Sequence, residues 1–112
     1  MSPELRGLDV RFVPAVEWIL AVARAYCGGA SVTSTRRSTA EQIRLYQRYR
    51  GAQVCRPGTS AHELGQAVDL VVAQGSTSEA QAWLGAVWNR YVTNTWSSND
   101  PVHFAGVRGC LP

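Results

Sequence analysis

Apolar positions recur with two different periods along the chain. Between 14 and 27, Val16, Ile19, Leu20, Ala23 and Cys27 repeat at helical spacing. Pro14 suits the first turn of that helix and Gly28-Gly29 its end. The Val/Thr-rich segment ASVTST, 30–35, has β-type composition. Ser38-Thr39-Ala40-Glu41 has the S-x-x-E form of a capping box, which predicts a helix from there to about Arg50 with Ile43, Tyr46 and Tyr49 on its apolar side. Residues 51–65 are rich in Gly, Pro and Ser and read as a loop. The period then changes to two across QAVDLVV, 66–72, a strand. Ser76-Thr77-Ser78-Glu79 predicts a second capping box. The helix behind it carries Ala80, Trp83, Leu84, Val87, Trp88 and Tyr91 at helical spacing. YVTNTW, 91–96, reads as another strand, SSNDP as a turn and VHF, 102–104, as a last short strand.

These elements predict an α+β fold in a single domain covering 1–112. Three amphipathic helices would pack on one face of a small, mainly antiparallel sheet, leaving the other face for a site. With 46% hydrophobic and 17% charged residues the composition is that of an ordinary globular protein. No apolar run is long enough to span a bilayer. The first residues lack a basic start followed by a clean apolar block, so the expectation is synthesis in the cytoplasm without a signal peptide. The net charge of +3 suits an anionic polymer, or simply a solvated basic surface. Arginines cluster between 36 and 50, but no nucleic-acid-binding motif accompanies them, and no nucleic-acid partner is expected. Cys27, Cys55 and Cys110 form no CxxC pair, and three buried thiols is the expectation. One disulfide of undetermined pairing is the alternative.

The strand at 66–72 contains an anomaly. Alternation puts Val68, Leu70 and Val72 toward the core and Ala67, Asp69 and Val71 on the opposite face. A carboxylate there needs a partner: a basic side chain, a hydrogen-bond donor or a metal ion. The chain has 2 histidines. His62 lies in the loop just before the strand. His103, flanked by Val102 and Phe104, should face the same side as Asp69 if the two strands share a sheet. Two imidazoles and a carboxylate are enough for a catalytic zinc site with an open position. On spacing alone, an arginine partner for Asp69 and ordinary structural roles for the histidines stand equally well.

A resemblance bears on that choice. Residues 60–69, SAHELGQAVD, match the SxHxxGxAxD motif of peptidase family M15 at every defined position. This is the group of D-alanyl-D-alanine carboxypeptidases and L-alanyl-D-glutamate endopeptidases, which shares its fold with lysostaphin-type peptidases and the hedgehog signalling domain. VTSTRRSTAEQIRLY, 32–46, resembles the family's TSGYRSxxEQxxLY segment, and DPVHF, 100–104, its closing DPxHF. The motifs occur in the family's order between about Leu8 and Phe104. The resemblance implies one zinc ion per chain on His62, Asp69 and His103, and Asp100 as general base. It implies Arg37 as the cation that binds and polarises substrate, with Ser60 and Gln42 lining the site. Taken from the residues alone, Asp100 is a turn residue and Arg37 a solvated arginine at a helix start. Adjacent Arg36 should be dispensable. Thr35-Arg36 stands where the family commonly has Gly-Tyr, and Ala105 where an acidic residue usually comes after the His-Phe pair.

The activity so implied is zinc-dependent hydrolysis of peptidoglycan stem peptides by a monomer with no membrane partner, acting at the cell wall in the manner of a phage endolysin core. L-alanyl-D-glutamate cleavage comes first, and D-Ala-D-Ala carboxypeptidase or dipeptidase activity second. The hedgehog resemblance also allows a zinc-bearing binding module without hydrolysis.

Overall fold

The computed structural model describes residues 5–49, 54–107 and 110. In chain order the elements are α1 (Val13–Cys27), β1 (Ala30–Ser34), α2 (Thr39–Tyr49), β2 (Ala67–Val72), α3 (Glu79–Tyr91) and β3 (His103–Ala105). The strands form one antiparallel sheet in the order β1-β2-β3. This is the α+β architecture expected. Arg50 and residues 51–53 of the expected loop lie outside the described residues. No helix among the described residues is long and apolar enough to cross a membrane.

Strand β2 is central, and its alternation sorts the molecule. Val68, Leu70 and Val72 are buried on one face against α1 and α3. Helix α1 contributes Val16, Ile19, Ala23 and Cys27 to this core, and α3 contributes Leu84 and Trp88. The Trp88 indole is the hub: Phe12 meets it edge-on at 5.9 Å between ring centroids and Phe104 at 5.5 Å. Its Nε1–H is satisfied by the Ala105 carbonyl (3.2 Å) and the Thr95 hydroxyl (3.1 Å), so burying the indole strands no donor.

The structure corrects four expectations. YVTNTW is not a strand. Helix α3 runs to Tyr91, and the Trp88 carbonyl accepts the N–H groups of both Val92 (2.9 Å) and Thr93 (3.1 Å), closing the helix. Asn89 and the Ala105 carbonyl, rather than a strand ladder, then hold Thr95 and Trp96. The second capping box is displaced: Ser78, not Ser76, caps α3, accepting the Gln81 N–H at 3.1 Å. The first capping pair forms as expected, with the Glu41 N–H donating to Ser38 Oγ at 3.1 Å. Helix α2 does not join the core layer. Ile43 and Tyr49 are 41% and 48% exposed, and Gln42 is its one buried residue. Finally, the thiols are not all free. Cys55 and Cys110 form a disulfide, and only Cys27 is a buried free thiol.

A candidate metal centre in a cleft

The outer face of the sheet is built to bring a loop close. Ala67 and Ala105 are cross-strand neighbours on that face, and Ala61 packs on them in a small satellite cluster. Three methyl groups leave little bulk between the sheet and the loop carrying His62. The unusual Ala105 is thus a packing residue, whose carbonyl also accepts the Thr95 hydroxyl at 2.7 Å. The motif glycine, Gly65, has φ +70°. A Cβ built there would sit 2.6 Å from the Asp9 nitrogen and 2.9 Å from the Gly7 oxygen. The N-terminal segment therefore lies directly against this turn, tied by the Asp9 N–H to the Gly65 carbonyl at 3.0 Å.

Glu63, at an undefined position of the motif, organises the same loop. Its buried carboxylate accepts the N–H groups of Gly58 (2.8 Å) and Ser60 (3.2 Å) and the Thr39 hydroxyl (3.1 Å). It was not among the residues expected to matter, yet a signal was present in the sequence: Ser60-x-x-Glu63 has the spacing of a capping box, here closing a loop turn. Ser60 itself is buried, and its Oγ accepts the His62 N–H at 3.2 Å.

Three acceptor atoms then converge. Asp69 on β2 and His103 on β3 are direct cross-strand partners, as alternation required. His62 is oriented from behind, its Nδ1 lying 2.8 Å from the Thr35 carbonyl. A carbonyl can only accept, so Nδ1 carries the hydrogen and Nε2 presents a lone pair to the site. A β-bulge between Val32 and Ser34 turns β1 opposite Asp69 and delivers Thr35 to that position. His62 Nε2 lies 3.2 Å from Asp69 Oδ1 and 3.2 Å from His103 Nδ1, and the third edge, His103 Nδ1 to Asp69 Oδ1, is 3.7 Å. Burial alone would raise the Asp69 carboxyl. The adjacent His103 and His62 rings outweigh it and hold the carboxyl well below the usual carboxylate range, so Asp69 is an anion.

This triangle tests its own occupant. Tetrahedral zinc with nitrogen and oxygen ligands at about 2.0–2.2 Å sets those ligands roughly 3.3–3.6 Å apart. The edges of 3.2, 3.2 and 3.7 Å lie about 0.1 Å outside that range, close enough for small side-chain shifts to accommodate the ion, and the donor set of two imidazoles and one carboxylate fits it. Among the described residues this is the one group of three or more His, Cys, Asp or Glu side chains that could hold a metal.

The triad opens into a cleft of about 710 Å³. Arg37, Gln42, Ser60 and Asp100 line it together with His62, Asp69 and His103, so every candidate residue from the sequence borders one space. The far wall, Asn94 to Ser97, comes largely from the segment with strand composition, and Trp96 is fixed there by donating its Nε1–H to the Pro101 carbonyl at 2.7 Å. Asp100 sits in the turn and at the cleft. Its backbone makes the turn, accepting the His103 N–H at 3.1 Å, while its carboxylate is exposed at the cleft. Arg37 donates to the Gln42 amide oxygen at 2.9 Å, and no carboxylate among the described residues pairs with it. Arg36 instead reaches back to the Glu63 carbonyl at 3.2 Å and does not line the cleft.

No protein-family model and no curated protein sequence matches the chain. Solved structures do. The vancomycin-resistance D,D-pentapeptidase VanY in complex with Zn(II) is 25% identical, with a TM-score of 0.67 over 88% of this chain and 71% of that one. VanYB in complex with D-alanine-D-alanine is 24% identical, with a TM-score of 0.68 over 88% and 70%. The L-Ala D-Glu endopeptidase ChiX of Serratia marcescens is 23% identical, with a TM-score of 0.63 over 91% and 82%. In its three-stranded sheet, its helices and the meeting of its motif residues on the sheet's outer face, the chain has the fold of the M15 peptidases.

Proposed function

We propose that the chain is a zinc-dependent peptidase of bacterial peptidoglycan stem peptides. The observation that carries this reading is the convergence of His62 Nε2, Asp69 Oδ1 and His103 Nδ1 at metal-ligand spacing on the wall of a cleft that Arg37 and Asp100 also line. The likeness to VanY, which was solved with Zn(II), supports zinc as the ion.

Bound there, zinc supplies Lewis acidity, acidifying water and polarising a peptide carbonyl. The chain's own groups do the rest. The Asp100 carboxylate takes the proton of the attacking water and returns it to the leaving amine nitrogen. Its exposure at the cleft lets it reach solvent and substrate alike. Among the described residues the Arg37 guanidinium has no anionic partner, which leaves its charge for a substrate carboxylate or for the oxygen that gains charge during attack. Ser60 acts within the protein, fixing the His62 backbone.

For the bond cleaved, the proposal is L-alanyl-D-glutamate, in an endolysin-like setting at the wall. The Cys55–Cys110 disulfide supports action outside the reducing cytosol. A second reading is D-Ala-D-Ala carboxypeptidase activity. That no carboxylate among the described residues pairs with Arg37 favours it as a site for a terminal carboxylate, and so does the likeness to VanYB bound to D-alanine-D-alanine. Incubation with Gram-negative sacculi, with and without a chelator, and mass spectrometry of the released fragments separate the two. Chelator-sensitive release of stem peptides that lack L-Ala and begin at D-Glu establishes the endopeptidase, and loss of a single terminal D-alanine the carboxypeptidase. A zinc-loaded protein that releases nothing is a binding module, and the proposal falls.

A further inference from the structure

Part of the cleft wall is covalent. Cys55 and Cys110, 55 residues apart, join in a disulfide, and both border the cleft. The cross-link leads to Arg37 through a single side chain. The Cys55 carbonyl accepts Gln42 Nε2 at 2.6 Å, and Gln42 Oε1 accepts Arg37 Nη1 at 2.9 Å. Gln42 is 1% exposed, and both ends of its amide are engaged within the protein.

The direction of this chain matters. An amide can turn end for end, presenting either its oxygen or its NH2 to a neighbour. The Cys55 carbonyl can only accept, so it draws the NH2 and leaves the oxygen facing Arg37. The Arg37 backbone is anchored separately, its N–H donating to the His62 carbonyl at 3.0 Å. The metal-ligand loop thus holds the Arg37 main chain, while the disulfide holds the residue that aims its guanidinium. Glu63, by contrast, ties the loop at Gly58 and Ser60 without the cross-link.

We propose that the Cys55–Cys110 disulfide, acting through Gln42 as a positioning residue, presets the Arg37 guanidinium for substrate and so controls substrate affinity independently of the metal centre. This rests on the reading of Arg37 as the cation that binds substrate. Gln42 then borders the cleft and aims Arg37 without itself contacting substrate.

The test uses the zinc-loaded full chain as wild type, as Cys55→Ser/Cys110→Ser, as Gln42→Met with the disulfide intact, and as the combination. Three quantities are read: zinc per chain, KM and kcat on a purified muropeptide, and the ¹⁵N guanidinium signal of Arg37, assigned by its loss in Arg37→Lys. Both variants should keep one zinc per chain. KM should rise about tenfold, the scale of losing one fixed charge-assisted hydrogen bond, with kcat within about twofold. The Arg37 signal should collapse to that of a freely rotating group, and combining the variants should add nothing further. An unchanged Arg37 signal overturns the proposal, as do KM effects that multiply on combination. If the cysteine variant does not fold, an unchanged signal in Gln42→Met is sufficient to overturn it. If wild type shows no turnover, the peptidase reading fails, and the Arg37 signal in the same samples still decides the positioning role.

Discussion

Replacing Gly65 with alanine perturbs the backbone beside the metal-ligand loop, and its cost can be worked out from two parts. The residue has φ +70°, where a side chain costs about 1–2 kcal/mol. The new Cβ would also lie 2.6 Å from the Asp9 nitrogen, 2.9 Å from the Gly7 oxygen and 3.1 Å from the Leu8 carbonyl carbon. All three are backbone atoms, so no rotamer change relieves the overlap, and overpacking of this kind costs about 1–3 kcal/mol. The sum is about 2–5 kcal/mol. Gly58 isolates the first part, and the difference between the two variants gives the second. It has φ +86° with no atom within 4 Å of an added Cβ, so Gly58→Ala should cost only the conformational term, about 1–2 kcal/mol. Urea denaturation of both variants with the disulfide oxidised measures the difference. Gly65→Ala should also weaken zinc binding, because the Gly65 N–H closes the turn on the His62 carbonyl at 3.2 Å. Equal losses for the two variants would refute the argument that the N-terminal segment is wedged against the motif glycine.

Three other outcomes are expected. Asp69→Ala should lose both zinc and turnover, whereas Asp100→Ala should bind zinc at wild-type stoichiometry and lose about 10²–10⁴-fold in kcat; near-normal turnover in the latter removes Asp100 as the base. Gln81→Leu should destabilise the fold by about 2–5 kcal/mol in denaturant titration, because fully buried Gln81 accepts the Val72 N–H and donates to the Leu70 and Pro101 carbonyls. Arg36→Ala should leave KM and kcat within about twofold, since among the described residues its side chain makes one hydrogen bond, to the Glu63 carbonyl, and it does not line the cleft.

Much of the architecture was legible because it arises from local chemistry. A period of two needs no partner to be seen, so β2 and the outward direction of Asp69 could be read directly. The same alternation placed His103 opposite, and the sheet pairs the two residues. Competition between local signals was harder. Ser76-x-x-Glu79 and Ser78-x-x-Gln81 are overlapping start signals for α3, and only burial of Gln81 against β2 and Pro101 selects the second. YVTNTW has strand composition, but Tyr91 is still within the apolar rhythm of α3, and Asn89 and Ala105 capture Thr95 and Trp96 beyond it.

By itself the sequence determined the kinds and directions of the chemical groups: an anion on the outer face of a strand, two imidazoles able to reach it, glycine and alanine where a loop must come close. These are properties of residue type and short-range periodicity, which hold before the chain has folded. Only the tertiary structure decided what covers what. An amphipathic helix does not specify its neighbour, and α2 stands beside the cleft instead of under the sheet. Nor do three cysteines specify a pair, and the bond between Cys55 and Cys110 depends on where two distant segments end up. The edges of the metal triad belong to the same class, because a separation of a few ångströms between residues 41 positions apart is set by packing of the whole.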